Sequence, residues 1–380
     1  MNKAQFTDRM AALLAGQSPA EREQLINYYI EMIDDRMEAG MSEEEAVAAL
    51  GEPEALVQDV LPLPDGKPGK SAGAPVSADG DERYVDALNE VRIRMYSADT
   101  LIRRQRLENG AAAQLTFSDP EAFETRMEGG VLEIIEKEQK KRSLFGIDLS
   151  GLELSINGMN LLGEQRKLTL TLADTIPQRI RFESRGGDLE MTDVAVAGEL
   201  RLTTASGDIE LSRCACNGTI EMNSRSGDVT VGDTEAAHEI RIEGLSGDVE
   251  LRRSRADALR VRTTSGDVKI DRAFSRTLEV NSVSGDVELE ENETAESVQC
   301  SATSGDIDVS RPIAPRVHLS CVSGDITARL ENRAGGYDLN ANTFSGSLRL
   351  PKHWDAPTGD TKAQVIAKTV SGDIRMEILD

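Results

Sequence analysis

At 380 residues the chain can hold two domains or one long repeat array, and with aromatics at only 3% any core is built from Leu, Ile and Val. A formal net charge of −24 argues against nucleic acid and against adsorption to anionic lipid, since both need clustered Lys and Arg. No run reaches the ~20 apolar residues of a membrane span, the N-terminal MNKAQFTDRMAALLAG lacks the apolar core of a secretory signal, and four cysteines are too few for a disulfide scaffold. The default expectation is therefore a cytoplasmic protein.

The chain opens on helical signals. Phe6, Met10, Leu13 and Leu14 recur at the spacing of one buried helix face. Ser18-Pro19-Ala20-Glu21 then sets Ser at an N-cap, Pro at the first helical position and Glu at N3, where both side chains reach orphan N–H groups. The helix it opens carries Leu25, Ile26, Tyr29, Ile33 and Met37 and stops at Gly40. Ser42-Glu43-Glu44-Glu45 caps a third helix ending at Gly51, and Pro53 begins a fourth through Leu56, Val57 and Val60.

Residues 1–62 thus read as a small helical bundle, with 13 acids against 4 bases, a net of −9, most simply a solvated face. The text SPAEREQLINYYIEMIDDRMEAGMSEEEAVAALGEPEALVQDVL resembles the HAAS (DUF1700-like) family of bacterial envelope and signalling proteins. That resemblance implies a module for docking onto another protein.

Residues 63–82 are rich in Pro, Gly, Ala and Ser with no apolar period, and read as a flexible linker. Beyond it, residues 83–380 form a repeat. A Ser-Gly-Asp-type turn recurs near every twentieth residue, at Gly187, Gly207, Gly227, Gly247, Gly266, Gly285, Gly305, Gly324, Gly346 and Gly372. Taking each glycine as zero, positions −7, −5, +2 and +4 are apolar in every copy, as in Leu200, Leu202, Ile209 and Leu211.

Period-2 alternation on both sides of a turn means two strands per repeat facing a shared interior, and the constant repeat length lets like stack on like. The predicted fold is mostly β: a right-handed parallel β-helix, or β-solenoid, of about ten coils following the small all-α bundle. Glycine supplies the positive φ of a corner, while Ser and Asp hydrogen-bond nearby backbone. Residues 83–179, with strands such as Glu90–Met95 and Lys167–Leu172 but no Ser-Gly-Asp turn, read as irregular cap coils before the repeats of 180–380. Ser347 replaces Asp in a late copy, and a loop holding His353 and Trp354 lengthens the last coil.

This layout is similar to the DUF4097 family of bacterial β-strand repeat proteins, whose members are often described as adhesin-like. The order of a helical domain before the repeat resembles LiaX-like envelope-stress surface proteins. Those resemblances imply surface association and an interaction role.

No catalytic, cofactor or metal site emerges. The column of Asp188, Asp208, Asp228, Asp248, Asp267, Asp286, Asp306 and Asp325 offers one carboxylate per coil. That is a thin ligand set for calcium, so each Asp is expected to accept turn N–H groups. Cys214 and Cys216 have the spacing of half a metal site, but no second pair exists, and His238, His318 and His353 fall at unrelated offsets. Cys300 and Cys321 sit at inward positions and read as core filler.

Each motif Ser is equivalent to many others, which argues against a unique nucleophile, and sugar-stacking rings are scarce for a glycosidase. The expected function is a non-enzymatic binding or structural module. Its expected partner is another protein, met through the helical module, the solenoid surface or both. A glycan-active or glycan-binding β-helix is the alternative.

Overall fold

The computed structural model describes residues 3–13, 43, 47, 77–79, 82–138, 143–144, 147–148, 155–156, 159–160, 165–332, 336–351 and 363–379. Two compact units divide the chain, 1–71 and 72–380. In the first, the helix Lys3–Leu13 buries Phe6 and Met10 on one face, Val47 is also buried, and the Lys3 backbone N–H donates to Glu43 Oε1 at 2.7 Å. The caps at Ser18 and Ser42, the stops at Gly40 and Gly51, and Pro53 lie outside the described residues.

The second unit is mostly β, with long sheets of parallel strands in a solenoid-like fold. One coil shows the plan. Glu199–Thr204 forms the first face, the Ser206-Gly207-Asp208 turn follows, Ile209–Ser212 forms the second face, and the short Ala215–Cys216 a third. Each strand pairs in parallel with its counterpart one coil on, in register, so Leu200 stands opposite Ile220, Ile209 opposite Val229 and Cys216 opposite Ala236.

In-register stacking puts the same inward position over itself. Leu200, Leu202, Ile209 and Leu211 are each 1% exposed or less, and the interior of the solenoid is one continuous cluster of such residues. Between Arg255 and Ser304 the third and first faces fuse into the single strands Arg255–Ser265, Phe274–Ser284 and Glu293–Ser304.

The cap expected over 83–179 has more order than a set of degenerate coils. Glu90–Met95 and Asp99–Arg104 make a regular coil, pairing in parallel with Arg179–Ser184 and Leu189–Thr192. Its turn is Ser97-Ala98-Asp99, and Val91, Ile93 and Ile102 occupy the inward places. Val131–Glu136 and Lys167–Leu172 still pair in parallel with this coil, and beyond them the pattern turns antiparallel. Phe123–Glu128 pairs with Val131–Glu136, and Ala113–Phe117 lies between Lys167–Leu172 and Glu82–Val85. Ser77–Asp79, inside the stretch read as linker, pairs antiparallel with Glu82–Val85.

The far end departs from chain order. Ile374–Leu379 inserts between Ile326–Glu331 and Leu348–Arg349, and Ala363–Ser371 likewise lies between Arg316–Ser323 and Tyr337–Ser345. The copy around Gly372 therefore stacks on that of Gly324, and the earlier copy around Gly346 is outermost. The inner copy buries its interior fully, with Val365, Ala367, Ile374 and Met376 all 1% exposed or less, while the inward-register Leu348 and Leu350 of the outer copy are left 46% and 39% exposed.

The glycine column also has a different cause from the one expected. Gly247, Gly266, Gly285, Gly305, Gly324 and Gly372 do have φ between 112° and 153°, but Gly187, Gly207, Gly227 and Gly346 do not adopt positive φ. What all share is crowding. A Cβ on any of these turn glycines falls on the backbone carbonyl of the turn stacked against it, far inside van der Waals contact. Gly227→Ala, without a φ penalty, is expected to lose about 1–3 kcal/mol or more through this clash. Gly232→Ala, whose nearest atom is 3.9 Å away, is expected to be neutral or to gain ~0.4–1 kcal/mol. Urea midpoints of the two variants check the contrast, and equal midpoints would refute the crowding explanation.

Candidate functional site

The edge carrying the Ser-Gly-Asp turns is built from four columns running along the solenoid. At −3, buried hydroxyls lock the turn: Ser184 Oγ accepts the Gly187 N–H at 3.0 Å and donates to the Gly187 carbonyl at 3.1 Å, and Ser224 does the same for Gly227. Thr204 Oγ1 accepts from Gly207 at 2.8 Å. Nothing in the residue pattern singles these positions out, because Thr, Ser, Gly, Ala and Cys all occur there.

At +1 stands the aspartate ladder. Each carboxylate accepts the backbone N–H of the next Asp: Asp208 donates to Asp188 Oδ1 at 2.9 Å, Asp228 to Asp208 at 2.8 Å, Asp267 to Asp248 at 2.8 Å and Asp325 to Asp306 at 2.7 Å. The ladder begins one coil earlier than the motif suggested, at Asp99, which accepts from Asp188 at 3.2 Å. It ends where Ser347 donates to Asp373 at 2.7 Å, a bond that holds the Asp373 carboxyl below its usual range.

Below the first turn no like coil supplies an acceptor. There the fully buried Glu136 takes the N–H groups of Tyr96, Ser97 and Ala98 on Oε2 at 2.7, 2.9 and 3.0 Å. Ala98 can stand in for glycine at this one turn because a side-chain carboxylate, rather than another turn, lies against it.

The motif serines at −1 behave otherwise. Ser206, Ser226, Ser246, Ser265, Ser284 and Ser304 are exposed, and among the described residues their hydroxyls make no hydrogen bond. The expectation that motif Ser ties down its own turn is corrected: the −3 hydroxyls and the Asp ladder do that. Beside the serines, at −2, Val283, Val322 and Val370 are 49%, 51% and 51% exposed, and Phe344 is 91% exposed. Between the −2 and −4 columns runs a groove of ≈ 630 Å³.

The opposite corner, at +6, was not legible in the sequence. Asp193, Arg213, Asp233, Arg253, Arg272, Glu291 and Arg311 all adopt left-handed φ of 45° to 59°, without a glycine among them. Their long polar side chains pair along the column. Arg213 grips Asp193 through Nε and Nη2 at 2.7 and 2.9 Å, Arg253 grips Asp233 at 2.7 Å, and Arg311 meets Glu291 at 2.9 Å. The guanidinium hydrogen bonds hold the Asp193 and Asp233 carboxyls below their usual range. Charged residues recurring at a spacing of nineteen or twenty, with acid and base alternating except at Arg253 and Arg272, were the available signal.

The cysteines are interior. Cys214, Cys216, Cys300 and Cys321 are all buried and unpaired by disulfide, and Cys214 and Cys216 donate S–H bonds to carbonyls, the latter to Gly198 at 3.2 Å. His238 and His318 are exposed on the surface, and His353 lies outside the described residues. Among the described residues no group of three or more His, Cys, Asp or Glu is arranged to hold a metal, and no helix is long and apolar enough to cross a membrane.

The ladder predicts that Asp267→Ala, which strips the acceptor from the Asp286 N–H, lowers stability by about 1 kcal/mol. Asp267→Asn keeps an oxygen there and is expected to be close to neutral. Chemical denaturation of both variants decides, and a loss as large in Asn as in Ala would remove the acceptor role.

Burial pushes the Cys214 thiol up to about 11 and raises Cys216, Cys300 and Cys321 as well. At pH 8 an alkylating reagent is expected to modify none of the four until the chain unfolds. Above the ordinary thiol range an unfolded chain ionises its thiols while native Cys214 stays neutral, so stability falls as pH rises toward 11. Rapid labelling of the native protein would contradict this.

Several comparisons bear on these features. The HAAS family model matches residues 5–59. A crystal structure named "Putative lipid binding protein" from Parabacteroides distasonis is similar at 16% identity and a TM-score of 0.38, covering 79% of this chain and 95% of that one. One named "putative adhesin" from Bacteroides fragilis matches at 14% identity and a TM-score of 0.33, covering 78% and 94%. No curated protein matches. The Toastrack DUF4097 family model matches residues 88–377, across the solenoid and its first coil, and the chain belongs to that family.

Proposed function

We propose that this chain is a non-enzymatic binding module of the bacterial cell envelope, in which residues 1–62 dock onto another protein and the solenoid of 83–380 carries a second binding surface. In this reading the linker of 63–82 tethers the two, and the solenoid winds as a right-handed helix of about ten coils, the hand that twisted parallel strands favour. The domain order of a HAAS-like segment before the repeat supports the envelope assignment.

One observation carries the choice of surface. On the Ser-Gly-Asp edge, among the described residues, the exposed serine hydroxyls make no hydrogen bond at coil after coil and in the later coils stand beside the exposed Val283, Val322, Val370 and Phe344, whereas the opposite corner consumes its charges in ion pairs. Exposed apolar groups flanked by polar ones mark interaction surfaces. A binding role also suits a surface that repeats, because a catalytic centre needs one unique constellation and the turns offer many equivalent ones.

Photo-crosslinking residues placed at Val322, on the turn edge, and at Arg213, on the opposite corner, test this in cells that make the protein. Adducts are expected from position 322 and not from 213. Adducts from 213 alone, or from neither, would overturn the assignment of the surface.

A further inference from the structure

The −2 residues form an unbroken row over the last coils, in stacking order Leu245, Thr264, Val283, Thr303, Val322, then Val370 and Phe344, since the copy around Gly372 lies inside that of Gly346. The groove beside it has a floor of small −3 residues, including Gly244, Ala302 and Cys321, and a far wall of Asn281, Ser301 and Ser320. It crosses the coils that hold Glu243 through Val322.

Charge is nearly absent from the groove itself. In a chain of net charge −24, Glu243 and Arg262 are the charged residues of the groove, and their signs cancel. Each coil adds a methyl-bearing or aromatic side chain at −2 and an exposed serine hydroxyl at −1, and all but the outermost, where Ser347 stands, add an exposed carboxylate at +1. They recur at the inter-strand spacing of about 4.8 Å.

Resting on the reading that this edge is the binding surface, we infer that its ligand is a neutral polysaccharide strand lying parallel to the solenoid axis. A ligand matching a translational repeat must itself repeat at that interval. A pyranose chain with equatorial linkages advances by nearly one coil rise per ring, and each ring has an apolar C–H face and a rim of hydroxyls. The C–H faces lie on the Val and Thr methyls, and the hydroxyls donate to the carboxylates and exchange hydrogen bonds with Ser. Phe344, 91% exposed at the end of the row, offers a ring face for stacking.

Other ligands fit less well. An extended peptide rises about 3.3 Å per residue and drifts out of phase with the coils. An anionic polymer meets the Asp column, and a bilayer leaves the hydroxyls and carboxylates of every turn without partners.

The test uses the full chain. Pelleting with insoluble cellulose, chitin, β-1,3-glucan and mannan, with phosphatidylcholine vesicles as the contrasting surface, is followed by calorimetry with oligosaccharides of two and six rings from the polymer retained. Expected are retention on at least one polysaccharide, affinity at least ten-fold higher for six rings than for two, and a ten-fold loss in Phe344→Ala and in Val322→Asp. Arg213→Ala, on the opposite corner, is expected to bind as the parent does. Melting curves show that the variants remain folded, and Phe344→Ala removes a side chain packed on little else.

Retention on none of the four, equal affinity for two and six rings, binding to vesicles alone, or indifference to both edge variants would each overturn the inference. If position 322 crosslinks in cells while no polysaccharide is retained, the ligand class falls and the binding edge stands. If 322 gives no adducts, the edge itself falls.

Discussion

Backbone meets backbone at the corner of the solenoid, where one Ser-Gly-Asp turn sits on the carbonyl of its neighbour with no room for a Cβ. That approach fixes the spacing of the coils at the corner and aims each Asp carboxylate at the N–H of the next turn. With the corner pinned, the in-register pairing of both long faces follows, and so does the placing of aliphatic over aliphatic. A shift of one residue would turn the inward set outward and separate every carboxylate from its donor, so register is specified twice over.

Repetition of this unit leaves both ends with unmet needs, and the chain answers them differently. At the first coil Glu136 supplies the acceptor that a preceding turn would have given, and antiparallel strands close the sheet beyond it, with Phe117 and Phe123 packed at 4.9 Å between ring centroids. At the other end, the copy around Gly372 lies inside and the earlier copy around Gly346 is left outermost. Chain order need not be stacking order here, because parallel coils are nearly interchangeable in outline.

The repeat and its strands were legible because residue class recurs at fixed offsets: the glycines, the four inward aliphatics and the Asp column all stand where the periodicity puts them. The first coil was missed because Ala98 breaks the motif, although Val91, Ile93 and Ile102 keep the inward pattern around it. The left-handed corner was missed for a different reason. Sequence signals for positive φ rest on Gly and Asn, whereas Arg213, Arg253 and Arg311 accept it while their guanidinium groups reach an acid on the coil below. The exchanged final coils could not be read at all, since adjacency in space was inferred from adjacency in sequence.

The two edges thus differ in what they leave over. Along the left-handed corner Arg213, Arg253 and Arg311 are each matched with an Asp or Glu one coil away and Arg272 with its neighbour Asp271, so these charges are engaged within the fold. Along the turn edge the fold uses the glycine, the aspartate and the −3 hydroxyl, and from Leu245 onward, among the described residues, no hydrogen bond or ion pair engages the −1 serine side chain or the −2 side chain. Stability therefore constrains only part of the turn edge, and over these later coils the places it leaves open hold hydroxyls and apolar groups together rather than the Lys and Glu of an ordinary solvated face. Because those groups repeat on a rigid frame, contacts to an extended ligand add coil by coil without a fresh ordering cost for each one, and weak individual contacts suffice for firm attachment.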